Sequence, residues 1–242
     1  MDGVALDDQG FRIRRDQPTR VEGFVDAAFA FAVTLLVVSV GNVPSSVAQM
    51  MADLRGVPAF LAGFLLIARF WQSHRQWSRR FGIEDDFSVR LSLTLVFVIL
   101  IFVYPLRMIA ALAVAGFCGG WLHGWPVGIA SVSQLRALYV VFAVGYGVIV
   151  ALFALLYRHA LRCADAIAMT QRERRLAAIA MHRHLGLLGI AVLSMALAWT
   201  LPMTSAHPLL FSLPGMIYAL AWPLSVALAR NARRVPTTEE SR

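Results

Sequence analysis

Lysine is absent from this 242-residue chain: all 22 basic residues are arginine. Charged residues make up 15% of the sequence against 59% hydrophobic, and mean hydropathy is +0.67. A water-soluble domain does not carry so apolar a composition, so the chain reads as a membrane protein. Cysteine is nearly as scarce. Cys118 and Cys163 fall near the ends of apolar segments, and two thiols alone make neither a disulfide framework nor a metal cluster. No GxSxG, HExxH, Walker-type glycine loop or CxxC occurs, which leaves hydrolase, metalloprotease and nucleotide-driven readings without a motif. Intramembrane proteolysis or lipid transfer would need a Ser, His, Asp or metal group at mid-depth, where the sequence offers single hydroxyls. The His182 and His184 pair is weak as a metal site, because residues two apart on a helix do not share a face. Neither an enzyme nor a cofactor is expected.

What the chain has in abundance is long apolar runs. A bilayer core of ~30 Å needs about 20 helical residues. Six stretches approach or exceed that length, at 22–42, 58–75, 91–115, 135–157, 185–204 and 209–229. The first begins after a polar leader and continues past the length of a signal-peptide core, so it is expected to stay in the mature protein. The expected fold is all-α, with a six-helix membrane domain at 20–230 between a flexible leader, 1–19, and a flexible tail, 231–242. No internal repeat is apparent.

The arginines sort by loop. Arg12, Arg14, Arg15 and Arg20 precede the first span; Arg75, Arg79, Arg80 and Arg90 surround the second connection. Arg158, Arg162, Arg172, Arg174, Arg175 and Arg183 mark the fourth, and Arg230, Arg233, Arg234 and Arg242 the tail. The intervening loops hold Arg55 and Arg136. An excess on alternate loops is the positive-inside pattern, which puts both termini in the cytoplasm and makes the span number even. The net charge of +8 is thereby a topology signal before it is a ligand signal, and no nucleic-acid partner is expected. The stretch 164–184 mixes Arg with small apolar residues and reads either as a short interfacial helix or as a solvated linker. The loop from Gly116 to Gln134, rich in Gly and Trp, suits an outer-face turn anchored by aromatics.

One segment carries chemistry inside its apolar run: RVEGFVDAAFAFAVTLLVVSV, residues 20–40. At about 100° per residue, Phe24, Phe31, Leu35 and Val38 form one stripe with Thr34 at its edge, and Asp26 stands roughly 140° round from Phe31. A carboxylate at that depth pairs inside a bundle, because exposing it to lipid is expensive. Asp26 is therefore expected to anchor the first helix, through Arg69 or His74 of the second, in the stretch RFWQSHRQW that also holds Trp71.

RVEGFVDAAFAFAVTLL resembles the first-helix signature of the transmembrane protein 175 family of potassium channels in its bacterial single-repeat branch, R-x-x-x-F-S-D followed by an apolar run ending T-L-L. FLLIARFWQSHR, LTLVFVILIFVYP and ALYVVFAVGYGVIVALFALLYRHALR are similar to its second, third and fourth helices, so the resemblance runs from Arg20 to Arg162. It implies a homotetramer of six-helix subunits around a pore lined by the first helix, with potassium as the permeant ion and no carbonyl filter; no TVGYG-like stretch occurs. By position, Phe31 would form the main constriction, Leu35 and Val38 further apolar rings, and Thr34 a ring of hydroxyls bearing on selectivity. Arg20, Asp26, Arg69, Trp71 and His74 would belong to the polar network between helices. The chain departs from the pattern at Val25, where the family has Ser, and at Phe31, where it has Ile or Leu.

The resulting expectation is a potassium-selective leak channel of a bacterial inner membrane, self-associating and in contact with membrane lipid. Two alternatives stand beside it: a proton or weakly selective cation pore, and a non-conducting scaffold whose Arg-rich face binds anionic lipid or a partner.

Overall fold

The computed structural model describes residues 6–7, 10–15, 17–38, 45–117, 129, 131–201 and 208–233. Its elements are α1 (Arg20–Val38), α2 (Val47–Leu54), α3 (Val57–Phe81), α4 (Asp86–Phe117), α5 (Val132–Arg162), α6 (Gln171–Thr200), α7 (Pro208–Met216), a 3-10 turn (Ile217–Leu220) and α8 (Ala221–Arg233). The described residues form an all-α bundle with no named strand, and an isolated bridge pairs Leu6 with Arg12. The end of the first expected span, residues 39–42, and most of the Gly/Trp-rich loop, with Cys118, lie outside the described residues.

Four described helices, α1, α4, α5 and α6, are long and apolar enough to cross a membrane; a fifth span results if α2 and α3, bent by 49°, count as one. The last apolar stretch, 209–229, is not one continuous α-helix: Pro214 lies inside α7, a 3-10 turn follows, and Pro223 falls in the first turn of α8. Proline lacks the backbone donor that a continuous ladder requires. Residues 164–184 are mostly the first half of α6. Thr170 Oγ1 accepts from Glu173 N at 3.2 Å while Glu173 Oε2 accepts from Thr170 N at 2.8 Å, a capping box that starts the helix well before its apolar part.

The core follows from helical spacing. Val25, Phe29, Ala32 and Leu36 recur every three or four residues and turn one face of α1 onto α3 and α4. Aromatic rings fill the centre: Phe70 packs against Phe102, Tyr146 and Phe153, and Phe102 against Phe142 at 5.1 Å between centroids. This packing needs glycine at 145, where a Cβ would stand 2.6 Å from the Phe102 ring, so α5 approaches α4 too closely for any side chain.

The described part of the leader is docked on the bundle. Phe11 is fully buried edge-on to Phe81, and the Arg80 guanidinium covers its ring at 4.5 Å. Arg14 forms a two-pronged ion pair with Glu173 (2.9 and 2.8 Å) and also donates to the carbonyls of Arg80 and Ile167. Arg15 reaches Glu84, and Arg80 reaches Asp7. These contacts gather the leader, the end of α3 and the start of α6 at one end of the bundle, so Arg-bearing stretches from alternate connections lie together.

Candidate functional site

α1 has two unlike sides. Its inner side, Val25, Phe29, Ala32 and Leu36, is at most 3% exposed. Its outer side leaves Phe24, Phe31 and Val38 at 57%, 55% and 65% exposure, all three being residues of the stripe read from the sequence. Thr34 is exposed beside them, whereas Leu35 is half-buried and packs on the core, so the stripe divides at that position. Gly23, Ala27, Ala30 and Thr34 run down the middle of the uncovered face, four and three residues apart. Thr34 Oγ1 donates to Ala30 O at 3.1 Å, a bond back to its own helix that leaves the oxygen lone pairs free to accept. Val25 is fully buried, so an apolar contact occupies the position where the family pattern has a hydroxyl.

The polar groups at the start of α1 find partners other than those expected. Asp26 is exposed, and its partner is Trp71, whose Nε1 donates to Oδ1 at 2.7 Å. Arg69 instead meets Gln72 on its own helix at 3.4 Å, and His74 meets Ser92 of α4 at 3.0 Å. Helix rotation explains the choice: residues two apart stand roughly 160° apart around the axis, so Arg69 and Trp71 cannot both face α1. Arg75 lies 5.4 Å over the Trp71 ring. Arg20 stands exposed at the first residue of α1.

Glu22 is a link the sequence reading missed. Ser78 Oγ donates to Glu22 Oε1, and Thr19 N donates to Glu22 Oε2 at 3.0 Å while Glu22 N donates to Thr19 Oγ1, so one carboxylate both caps α1 and ties it to α3. The T-x-x-E spacing was the available signal for the cap; the bond to Ser78 had none. Beneath lies a water-sized cavity of about 10 Å³ lined by Glu22, His74, Trp77, Ser78, Ser88 and Ser92, among others. Trp77 Nε1, buried on its wall, has no hydrogen-bond partner among the described residues.

Outside the spans, carboxylates lock the connections. Burial alone would raise the Glu173 carboxyl, but the Arg14 guanidinium and the N–H groups of Thr170 and Arg12 outweigh it and hold the group below the usual range. Burial likewise pushes the Asp85 carboxyl up, and hydrogen bonds from Ser88 and His159 overcome it and hold the group below its usual value.

The described helices form a multi-pass bundle in which α1, like α4, α5 and α6, leaves large apolar side chains uncovered, and α1 adds the exposed hydroxyl of Thr34. Residues 20–105 match the family described as the endosomal/lysosomal potassium channel TMEM175. Over 230 residues, 91% of this chain and 90% of the relative, the sequence is 27% identical to a potassium channel of Marivirga tractuosa. Its fold is similar to that of a variant of the potassium channel MtTMEM175 solved in complex with a nanobody–MBP fusion protein, with a TM-score of 0.78 at 26% identity over 95% of this chain and 100% of that one. It is also similar to a lysosomal potassium-selective channel TMEM175 homolog from Chamaesiphon minutus, with a TM-score of 0.57 over 86% and 96% of the two chains; at 19% identity that likeness concerns the fold alone. The match over residues 20–105 and the likeness to two potassium channels at 27% and 26% identity together support a TMEM175-like ion channel.

Proposed function

We propose that the chain forms a potassium-selective, leak-type pore in a bacterial inner membrane, with four copies arranged around α1 and both termini in the cytoplasm. The observation that carries this reading is the bare face of α1, where Phe31 and Val38 are more than half exposed while the opposite side is sealed into the bundle. The small residues Gly23, Ala27 and Ala30 permit close approach of a second α1, since small side chains let helix backbones come together in lipid. Phe31 and Val38 then form apolar rings that resist wetting, with Leu35 contributing its uncovered edge, and Thr34 supplies four hydroxyls along the path. The last apolar stretch, broken at Pro214, completes a sixth span as a bent passage. The Asp26–Trp71 bond holds α1 against α3 and His74 ties α3 to α4 through Ser92, while Arg20 and Arg69 remain at the polar end of the network.

Potassium as the permeant ion is supported by the potassium channel names of the relatives at 27% and 26% identity. A weakly selective cation or proton pore is the second reading, favoured by the fact that Thr34 is the one hydroxyl on the described bare face of α1. The experiment that separates them is flux through purified chain in liposomes under potassium, sodium and proton gradients in turn. Potassium flux well above the other two is expected; equal sodium flux, or flux of protons alone, sinks the selective reading, and no flux at all removes the pore.

A further inference from the structure

Away from α1, at the arginine-bearing end of the bundle, two elements bring three metal-ligating side chains to one point. His159 in the last turn of α5 and Cys163 at its C-cap lie four residues apart and therefore share a face. Asp85 reaches them from the turn between α3 and α4. Its Oδ2 lies 2.7 Å from His159 Nε2, and Cys163 Sγ lies 3.7 Å from the same nitrogen. One donor atom from each residue falls within 4.8 Å of the other two.

Two of the three separations are close to those of a tetrahedral centre, and the third, between carboxylate and sulfur, is within 4.8 Å. Bond lengths of ~2.3 Å to sulfur and ~2.0–2.2 Å to nitrogen or oxygen put neighbouring ligand atoms roughly 3.3–3.6 Å apart. The sulfur and nitrogen already stand at about that separation, and the imidazole and carboxylate need to part by roughly 0.6 Å. The ligands are also braced. Ser88 N donates to Asp85 Oδ1 at 2.9 Å, leaving Oδ2 to His159, and the Phe87 ring packs against the imidazole at 4.8 Å. Support of this kind orients first ligands in metal sites. The Asp85 side chain is 45% exposed, which provides an entry route and room for a water as fourth ligand. Burial and the Asp85 carboxylate both push the Cys163 thiol up, and a divalent cation between them would reverse the second effect.

We propose that Asp85, His159 and Cys163 form a binding site for a zinc-class divalent transition-metal ion, which staples the end of α5 to the α3–α4 turn. Thiolate, imidazole and carboxylate together select a borderline ion over magnesium or calcium, which take oxygen ligands. The site stands independently of the pore reading, since none of its residues lies on α1.

The test uses the full chain in detergent with Cys118→Ser, which leaves Cys163 as its single thiol. Zinc ions are expected to suppress maleimide labelling of Cys163, a chelator to restore it, and cobalt(II) to produce a thiolate-to-metal charge-transfer band. Adding His159→Ala should abolish both effects. Labelling unaffected by zinc together with no cobalt band overturns the site, as does protection that survives His159→Ala. Should the His159 variant fail to fold, labelling of the Cys118→Ser chain alone decides.

Discussion

Trp71 Nε1 donates to Asp26 Oδ1 at 2.7 Å, so the one carboxylate inside the apolar part of α1 is held by an indole of α3 and not by a cation. The bond is charge-assisted but exposed in the single chain, and its expected contribution is about 1–2 kcal/mol. Asp26→Ala and Trp71→Phe should each lower the detergent unfolding midpoint by a similar amount, and the double variant should be little worse than either. Additive losses in a double-mutant cycle would mean that the two side chains act separately.

Glu173 is the hub of the docked leader, and its carboxyl is held below the usual range against the opposing effect of burial by Arg14 and the Thr170 and Arg12 N–H groups. A group whose folded pKa is depressed contributes stability above its unfolded value, here about 4.5, and loses it as pH falls through the folded value. Unfolding midpoints should therefore drop on acidification below about pH 4.5, and Glu173→Gln should flatten that limb. Glu173→Ala at neutral pH should cost ~3 kcal/mol, because it leaves Arg14 unpaired in a mostly buried position. An acid limb unchanged in Glu173→Gln would place the sensitivity elsewhere.

Gly145→Ala should destabilise the α4–α5 contact by about 1–3 kcal/mol, since the new methyl would meet the Phe102 ring and that ring is confined by Phe70 and Phe142. Adding Phe102→Leu to Gly145→Ala should recover part of the loss. Thermal unfolding of the three proteins checks this; a neutral Gly145→Ala would show that the helices can separate freely.

Shrinking the apolar ring should open the pore. Phe31→Ala is expected to raise cation flux in liposomes and weaken discrimination, while Thr34→Ala lowers potassium preference without blocking conduction. The check is flux at matched protein density, and a Phe31→Ala chain with wild-type flux would place that ring against lipid.

The sequence made the apolar helices legible because length and hydropathy are local properties. The bare stripe of α1 was legible too, at Phe24, Phe31 and Val38, because it follows from helical period. Leu35 was harder to place, since the width of the buried face depends on where α3 and α4 sit. Partners across helices were not legible: whether Asp26 meets Arg69, Trp71 or His74 depends on the rotation of α3, which spacing alone leaves open. The docking of Phe11 and Arg14 was hidden for a related reason, as Arg14 and Glu173 are 159 residues apart and the leader carries one buried ring in a polar context. The start of α6 did have a local signal, Thr170 three residues before Glu173, and the break in the last apolar stretch had one in Pro214. The cluster at Asp85 had half of a signal, the four-residue interval between His159 and Cys163.

The central claim is that the uncovered face of α1 lines the conduction path, and the most direct measurement places a cysteine there. In a chain carrying Cys118→Ser and Cys163→Ser, Thr34→Cys introduces a single thiol at the middle of that face. The account predicts that a water-soluble methanethiosulfonate cation blocks potassium flux through this chain in liposomes, that the block reverses on reduction, and that the parent without the new thiol is unaffected. Flux that continues unchanged after the thiol has been shown to react would contradict it.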